Sequence, residues 1–162
     1  MNETIQLLLT RITRLEDQVS RLVSRESADS EGWTSWTPEL EGSTTSGVFT
    51  YTQQTAFYFR IDDLVLIYGR IVINAITTPA AGNLRIVGLP YPTPNTPNNP
   101  PAQFQSNANL SAGYSQIVGA FGVNASRIDI TETGDDVLQN YNAASLAASD
   151  QFRFSGFYRA NI

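Results

Sequence analysis

Leu64–Ile76 (LVLIYGRIVINAI) alternates residue by residue. In an extended chain Val65, Ile67, Gly69, Ile71, Ile73 and Ala75 point one way, and Leu64, Leu66, Tyr68, Arg70, Val72 and Asn74 the other. A period of two is the mark of a β-strand. The first set is apolar throughout and the second turns polar toward its end, so one face belongs to a core. The same pattern runs outward on both sides. Val48–Thr52 alternates after a Gly/Ser/Thr turn, Ala56–Ile61 is an aromatic strand, and Asp62-Asp63 supplies the turn into the long strand. Further strands are expected at 83–89, 102–107, 115–122, 127–133 and 151–160. Residues 134–150 carry no clear pattern, although 143–148 has some helical propensity. About eight short strands with Gly, Asn and Pro turns predict a mainly β fold, an antiparallel β-sandwich or jelly-roll-like knob.

The N-terminal segment follows a different period. Ile5, Leu8, Ile12, Leu15, Val19 and Leu22 recur at alternating spacings of three and four. This is a heptad seam with β-branched residues at a and Leu at d, so an α-helical coiled coil is expected. The stripe covers two positions in seven, narrower than the face of a helix docked on its own domain, which is the competing reading. β-branched a with Leu d leans toward a dimer. Against that, Arg11-Ile12-Thr13-Arg14-Leu15-Glu16 resembles the trimer-specifying pattern of short coiled coils, in which the Arg11 stem covers the seam and its guanidinium pairs with Glu16 of a neighbour. Three chains are therefore expected. The domain reading is a stalk over 1–25, a polar linker over 26–32 and a knob over 33–162.

Composition narrows the function. The 162-residue chain has no Cys, no His and no Lys. Cys- or His-based metal sites, Cys nucleophiles and the Ser-His-Asp arrangement are absent together. A net charge of −5, about −15 for three copies, makes nucleic acid a poor partner. Arg11, Arg14, Glu16 and Asp17 break up the apolar N-terminus, so neither a secretory signal nor membrane insertion is expected. The carboxylate pairs Asp62-Asp63 and Asp135-Asp136 sit at turns and lack the ligand spacing of a Ca²⁺ loop. No cofactor, metal or catalytic residue is assigned, and the chain does not read as an enzyme. Trp33 and Trp36 are expected to anchor the knob in its core or an interface, with a sugar-stacking platform as the alternative. Six of the eight Pro lie at 90–101, predicting an extended loop. That loop is either a stiff connection or a contact surface; candidate contacts on the knob are Tyr91, Asn95, Asn98 and Tyr114.

The order of motifs carries a resemblance. Trp36-Thr37-Pro38, Phe49–Gln53, Ala56–Ile61, Tyr68–Ile71, Gly82–Pro90 and the closing Phe154–Ala160 together resemble the β-domains of tailed-bacteriophage virion proteins, found in tail fibres and in head-decorating or head-fibre proteins. The resemblance spans 33–90 and 151–160. It implies a homotrimer with a coiled-coil stalk and a β knob on the outer surface of the virion. The short chain lacks a long fibre shaft, which points to a capsid decoration, cement or head-fibre protein in contact with the major capsid protein. A short trimeric tail adhesin that binds a host-surface glycan, or a lectin-like module, is the alternative.

Overall fold

The computed structural model describes residues 3–29, 32–96, 100–134 and 137–161. It separates into two compact units, Met1–Gly32 and Trp33–Ile162. The first unit is one helix, α1, over Glu3–Asp29. It runs four residues past the expected 1–25 stalk, into the segment expected as linker. Losing the heptad removes the apolar seam but not helicity, because Glu26, Ser27 and Ala28 are compatible with a helix. On α1 the side chains of Ile12, Leu15 and Val19 are 50%, 59% and 57% exposed. The side chains of Ile5, Leu8 and Leu22 lie outside the described ones.

The second unit is mainly β and its pairings are antiparallel. Among the described residues ten strands follow in order: β1 Thr34–Trp36, β2 Glu39–Gly42, β3 Val48–Ile61, β4 Leu64–Thr78, β5 Leu84–Val87, β6 Pro101–Ser106, β7 Gln116–Phe121, β8 Arg127–Gly134, β9 Val137–Asn140 and β10 Gln151–Arg159. They form one path, β1-β3-β4-β10-β6-β7-β8-β5-β2, with β9 added beside β8. The path has two halves that share β6. Pro101 and Ala102 pair with β7, whereas Gln103–Ser106 pair with β10. The first half is β1, β3, β4, β10 and the end of β6; the second is the start of β6 with β7, β8, β5, β2 and β9.

The two ends of this path are neighbours in sequence. Only Thr37 and Pro38 separate β1 from β2, so Trp36 and Glu39 can be no more than about 11 Å apart. A nine-strand path whose ends lie that close must curl on itself. The contacts agree: Leu40 N–H, on β2, donates to the Tyr51 hydroxyl on β3 at 3.1 Å, and the Gln54 amide donates to Pro38 O at 2.9 Å. Pro38 lacks the N–H that would carry on pairing, so the chain leaves β3 after Trp36 and joins β5 instead. The fold is thus a sandwich-like closure of one continuous sheet.

The enclosed core matches the alternation read from β4 as far as Ile73; beyond it Ala75, expected on the core face, is exposed and Ile76 packs against the core instead, where the ladder with β3 shifts register. Val65, Ile67, Ile71 and Ile73 are buried, and Phe152, Phe154 and Tyr158 of β10 meet them from the next strand. Glycines make room for core rings: Gly69 faces its strand neighbours Ala56 and the Phe154 ring within the first half, and Gly119 of β7 faces the Phe104 ring. Two expected strands, 48–52 and 56–61, are one. Gln53 and Gln54 stay paired with Val72 and Ile71 through register shifts near Thr50–Gln53, and such bulges bend a strand without ending it. The Asp62-Asp63 turn stands where expected, with Asp62 at φ 53, a conformation Asp tolerates.

Gly42 tests the closure. A Cβ there would lie 2.3 Å from Ala81 O and 2.5 Å from Thr45 O, both backbone atoms that cannot swing away. Gly42→Ala should cost about 2–3 kcal/mol in urea unfolding. Gly32→Ala, with nothing within 4 Å of the new Cβ, should change stability by less than about 0.5 kcal/mol.

Candidate interaction face

The outer faces of the two halves differ in chemistry. On the second half, Arg85 of β5 reaches Asp129 of β8 at 3.1 Å, Arg127 reaches the same carboxylate at 3.0 Å, and Glu41 of β2 lies 4.0 Å from Arg85. An ion-pair row of this kind suits a face toward water.

The first half presents aromatic rings. β3 and β4 alternate, so the residues opposite the core residues Ala56, Val65 and Ile67 point outward, and register places them side by side. Phe57 lies opposite Tyr68, Phe59 opposite Leu66, and Leu66 in turn opposite Phe157 of β10. Trp33, just before β1, completes the row: its ring meets Tyr68 edge-on at 4.8 Å and Phe59 at 5.8 Å, while Phe57 and Tyr68 stack at 5.3 Å. Trp33, Tyr68 and Phe157 remain 50%, 43% and 54% exposed. A groove of about 390 Å³ runs along the row between Trp33, Tyr68, Pro101 and Phe157. Through Gln103 and Ser155 it continues into a second of about 270 Å³ beside Gln105 and Arg153. Arg153 stands opposite Arg70. The Arg70 guanidinium donates to Gln151 Oε1 at 2.6 Å, and its buried Nε has no partner among the described residues.

The two tryptophans separate. Trp36 packs on Phe154 at 6.1 Å and is half-buried, whereas Trp33 lies on the outer face. An odd spacing in an extended chain sends them to opposite sides.

The Pro-rich loop is tied down along its first part. Thr93 is wholly buried; its hydroxyl contacts Gly122 O and Ala125 O and accepts from Ala125 N–H at 3.1 Å. Asn124 N–H donates to Pro94 O at 3.1 Å, and Asn161 N–H to Pro92 O at 2.8 Å. This part of the loop is a seam that joins the turn after β7 to the end of β10. Tyr91 belongs to it: half-buried, it accepts from the Tyr158 hydroxyl at its carbonyl and receives Arg60 over its ring at 5.0 Å. Asn95 is exposed, and Asn98 lies outside the described residues, as do Asp135 and Asp136. Tyr114 precedes β7 and so sits at the opposite end of that strand from Thr93 and its partners, about 17–20 Å along it. Tyr91 and Tyr114 therefore do not converge on one site.

A second cluster is buried at one end of the knob. Glu132 of β8 accepts from Ser111 N–H at 2.8 Å and from the Ser111 hydroxyl at 3.0 Å. The Asp150 carboxylate accepts from Ala147 N–H at 2.8 Å. Each carboxylate fixes a loop. Tyr141 lies between β5 and β8: its N–H donates to Ile130 O, its carbonyl accepts from Leu84 N–H, and its hydroxyl donates to Asn109 O at 3.0 Å. Burial above all, then the charges of Asp150 and Glu132, push its phenol up to about 12. Burial likewise raises the Asp150 carboxyl above its ordinary value, against the opposing Ala147 hydrogen bond. Asp63, from the other carboxylate pair, meets Arg159 at 3.6 Å. Among the described residues no group of three acidic, His or Cys side chains is placed to hold a metal ion, and no helix is long and apolar enough to cross a membrane.

These features define a closed, mainly β antiparallel knob with one aromatic outer face. No protein-family model matches the chain, and no curated protein matches it. Among solved structures it is similar to the crystal structure of Dettilon tailspike protein (gp208), with a TM-score of 0.63 and 21% identity over 80% of this chain. The chain spans 24% of the length of that tailspike. At this identity the likeness is one of fold, and it meets the sequence resemblance to phage virion β-domains at that level.

The Tyr141 phenol gives a pH test. Its folded value lies above the ordinary 10, so its contribution to stability is complete below pH 10 and is lost as pH rises toward 12. Wild-type stability, followed by urea unfolding, should fall across that window. Tyr141→Phe should flatten part of the fall while costing about 1 kcal/mol at pH 7 through the lost bond to Asn109.

Proposed function

We propose that this chain is a homotrimeric structural protein on the outer surface of a bacteriophage particle, non-enzymatic, with α1 as the assembly helix and the β unit as the displayed knob. The observation that carries the reading is the fold shared with part of a tailspike. The heptad stripe supports the trimer: Ile12, Leu15 and Val19 are exposed along one side of α1, and such a seam is covered by copies of itself. In this reading Ile5, Leu8, Ile12, Leu15, Val19 and Leu22 form the seam, and Arg11 and Glu16 set the number of chains.

Two placements on the particle follow. As a decoration, cement or head-fibre protein, a trimer matches the local three-fold positions of an icosahedral shell and contacts the major capsid protein. As a short tail adhesin it would hold a host glycan, a placement favoured by the tailspike likeness.

The deciding measurement is copy number in purified particles, by quantitative mass spectrometry against the major capsid protein. A ratio near that of the shell protein means decoration. A ratio far below it means a tail or special-vertex position. Absence from particles sinks the virion reading. The trimer is tested separately: Ile12→Asp places an unpaired charge in the seam at a cost of several kcal/mol per chain, and sedimentation should show loss of the trimer.

A further inference from the structure

We propose that Arg70 and Arg153, side by side on the outer face of the first half, form a binding site for a carboxylate carried by an acidic sugar chain. The proposal rests on the adhesin placement above and names the chemistry of its ligand.

Charge on the knob is segregated. Strands β1, β3, β4, β6 and β10 hold four arginines, Arg60, Arg70, Arg153 and Arg159, and no Asp or Glu. The strands of the second half hold Arg85 and Arg127 together with Glu39, Glu41, Asp129 and Glu132. A chain of net charge −5 thus carries one half-sheet whose strands are charged only by arginine, and a surface of one sign selects ligands of the other. Two of the four arginines are already engaged. Arg159 meets Asp63 at 3.6 Å, and Arg60 lies over the Tyr91 ring. Arg70 and Arg153 meet no carboxylate among the described residues.

These two stand directly opposite each other in the β4–β10 ladder. Opposed residues of an antiparallel pair point to the same side, with Cα atoms about 5 Å apart. The side is the outer one, because Ile71 on β4 and Phe152 and Phe154 on β10 alternate with them into the core. Like charges opposed in this way cost stability. A carboxylate set between the two heads removes the repulsion and accepts charge-assisted hydrogen bonds from both. Arg70 is also short of acceptors: one terminal nitrogen donates to Gln151 Oε1 at 2.6 Å, and the buried Nε has no partner among the described residues.

Register extends the pair into a polar row across four strands. Thr55 of β3 stands opposite Arg70, and Gln105 of β6 opposite Arg153. Ser155 follows Arg153 on the same side of β10, and a groove of about 270 Å³ runs past Gln105, Arg153 and Ser155. Amides and hydroxyls both donate and accept, which is what a sugar's hydroxyls require. An acidic peptide fits less well. At Arg70 and Arg153 both strands are paired on both sides, so no backbone edge is open there to take a peptide's own N–H and C=O groups.

The test uses the full chain and isothermal titration calorimetry at pH 7, with tetramers of galacturonate and of glucuronate as probes. At least one should bind saturably. Its methyl ester, which keeps the sugar and loses the charge, should bind at least about tenfold more weakly. Arg153→Gln, at an exposed position, should keep its circular dichroism and weaken binding at least about tenfold. Arg159→Gln removes the same charge from the same strand, at a residue already paired with Asp63, and should change binding less than about twofold. No saturable binding of either uronate overturns the site. Equal losses from the two variants mean attraction to overall charge and overturn it as well. A tetraglutamate peptide that binds as tightly as the uronate assigns the arginines to a protein partner and overturns the sugar. Copy number in particles is read separately: a tail-like ratio without uronate binding removes this site and leaves the adhesin placement standing.

Discussion

Two residues, Thr37 and Pro38, hold the first and last strands of a nine-strand path together. Everything in the β unit follows from that short link. A sheet whose ends are joined by two residues has to close, and closing it puts one face of every strand into a common interior. Pro38 makes the corner sharp because it has no N–H to offer β3, and the Gln54 side chain takes up its carbonyl instead. On the far side β6 answers the corner by pairing with β7 at its start and β10 at its end. Side chains must be small beneath the core rings, so Gly69 lies under Phe154 and Gly119 under Phe104.

A closed sheet leaves its open ends and its crossings to be sealed, and the loops carry that work. Tyr141, Glu132 and Asp150 sit buried at one end, each engaged with backbone groups of a loop. Thr93 does the same for the start of the Pro-rich loop. A polar group taken out of water has to be paired, so these side chains are committed to structure. The exposed residues that remain chemically distinctive are the helix stripe and the aromatic outer face. Both are apolar surfaces of a single chain. The likeness to a part of a tailspike is one of fold alone, and a fold hosts many roles.

Local pattern was legible where local chemistry governs. The alternation of β4, the Asp62-Asp63 turn and the apolar set of β10 follow from period and turn preference, and the structure has them. β1, β2 and β9 are too short for a period to register, and β1 and β2 abut a proline. β3 read as two strands because its bulges interrupt the alternation while the ladder continues. Residues 134–150 carry no clear pattern beyond the helical propensity of 143–148, where a single 3-10 turn forms over Ala143–Ser145, since Tyr141 and Leu146 are buried by the sheet end they cover and not by neighbours in sequence. The Pro-rich stretch was legible as extended chain, but its anchoring through Thr93 depends on a turn some thirty residues away.

The sequence by itself determined the strand-rich unit, the helix with its heptad seam, and the chemistry that excludes His- or Cys-based sites, because these depend on residue type and spacing alone. Tertiary structure decided which side of each strand faces water. On β3, Phe57 and Phe59 are as apolar as the core residue Ala56 beside them, so there alternation shows two faces without saying which is covered, whereas on β4 the polar end of one set marks it as the outer one. Closure at Thr37-Pro38 resolves it: the sheet can enclose one side only, and the aromatic row is left on the other.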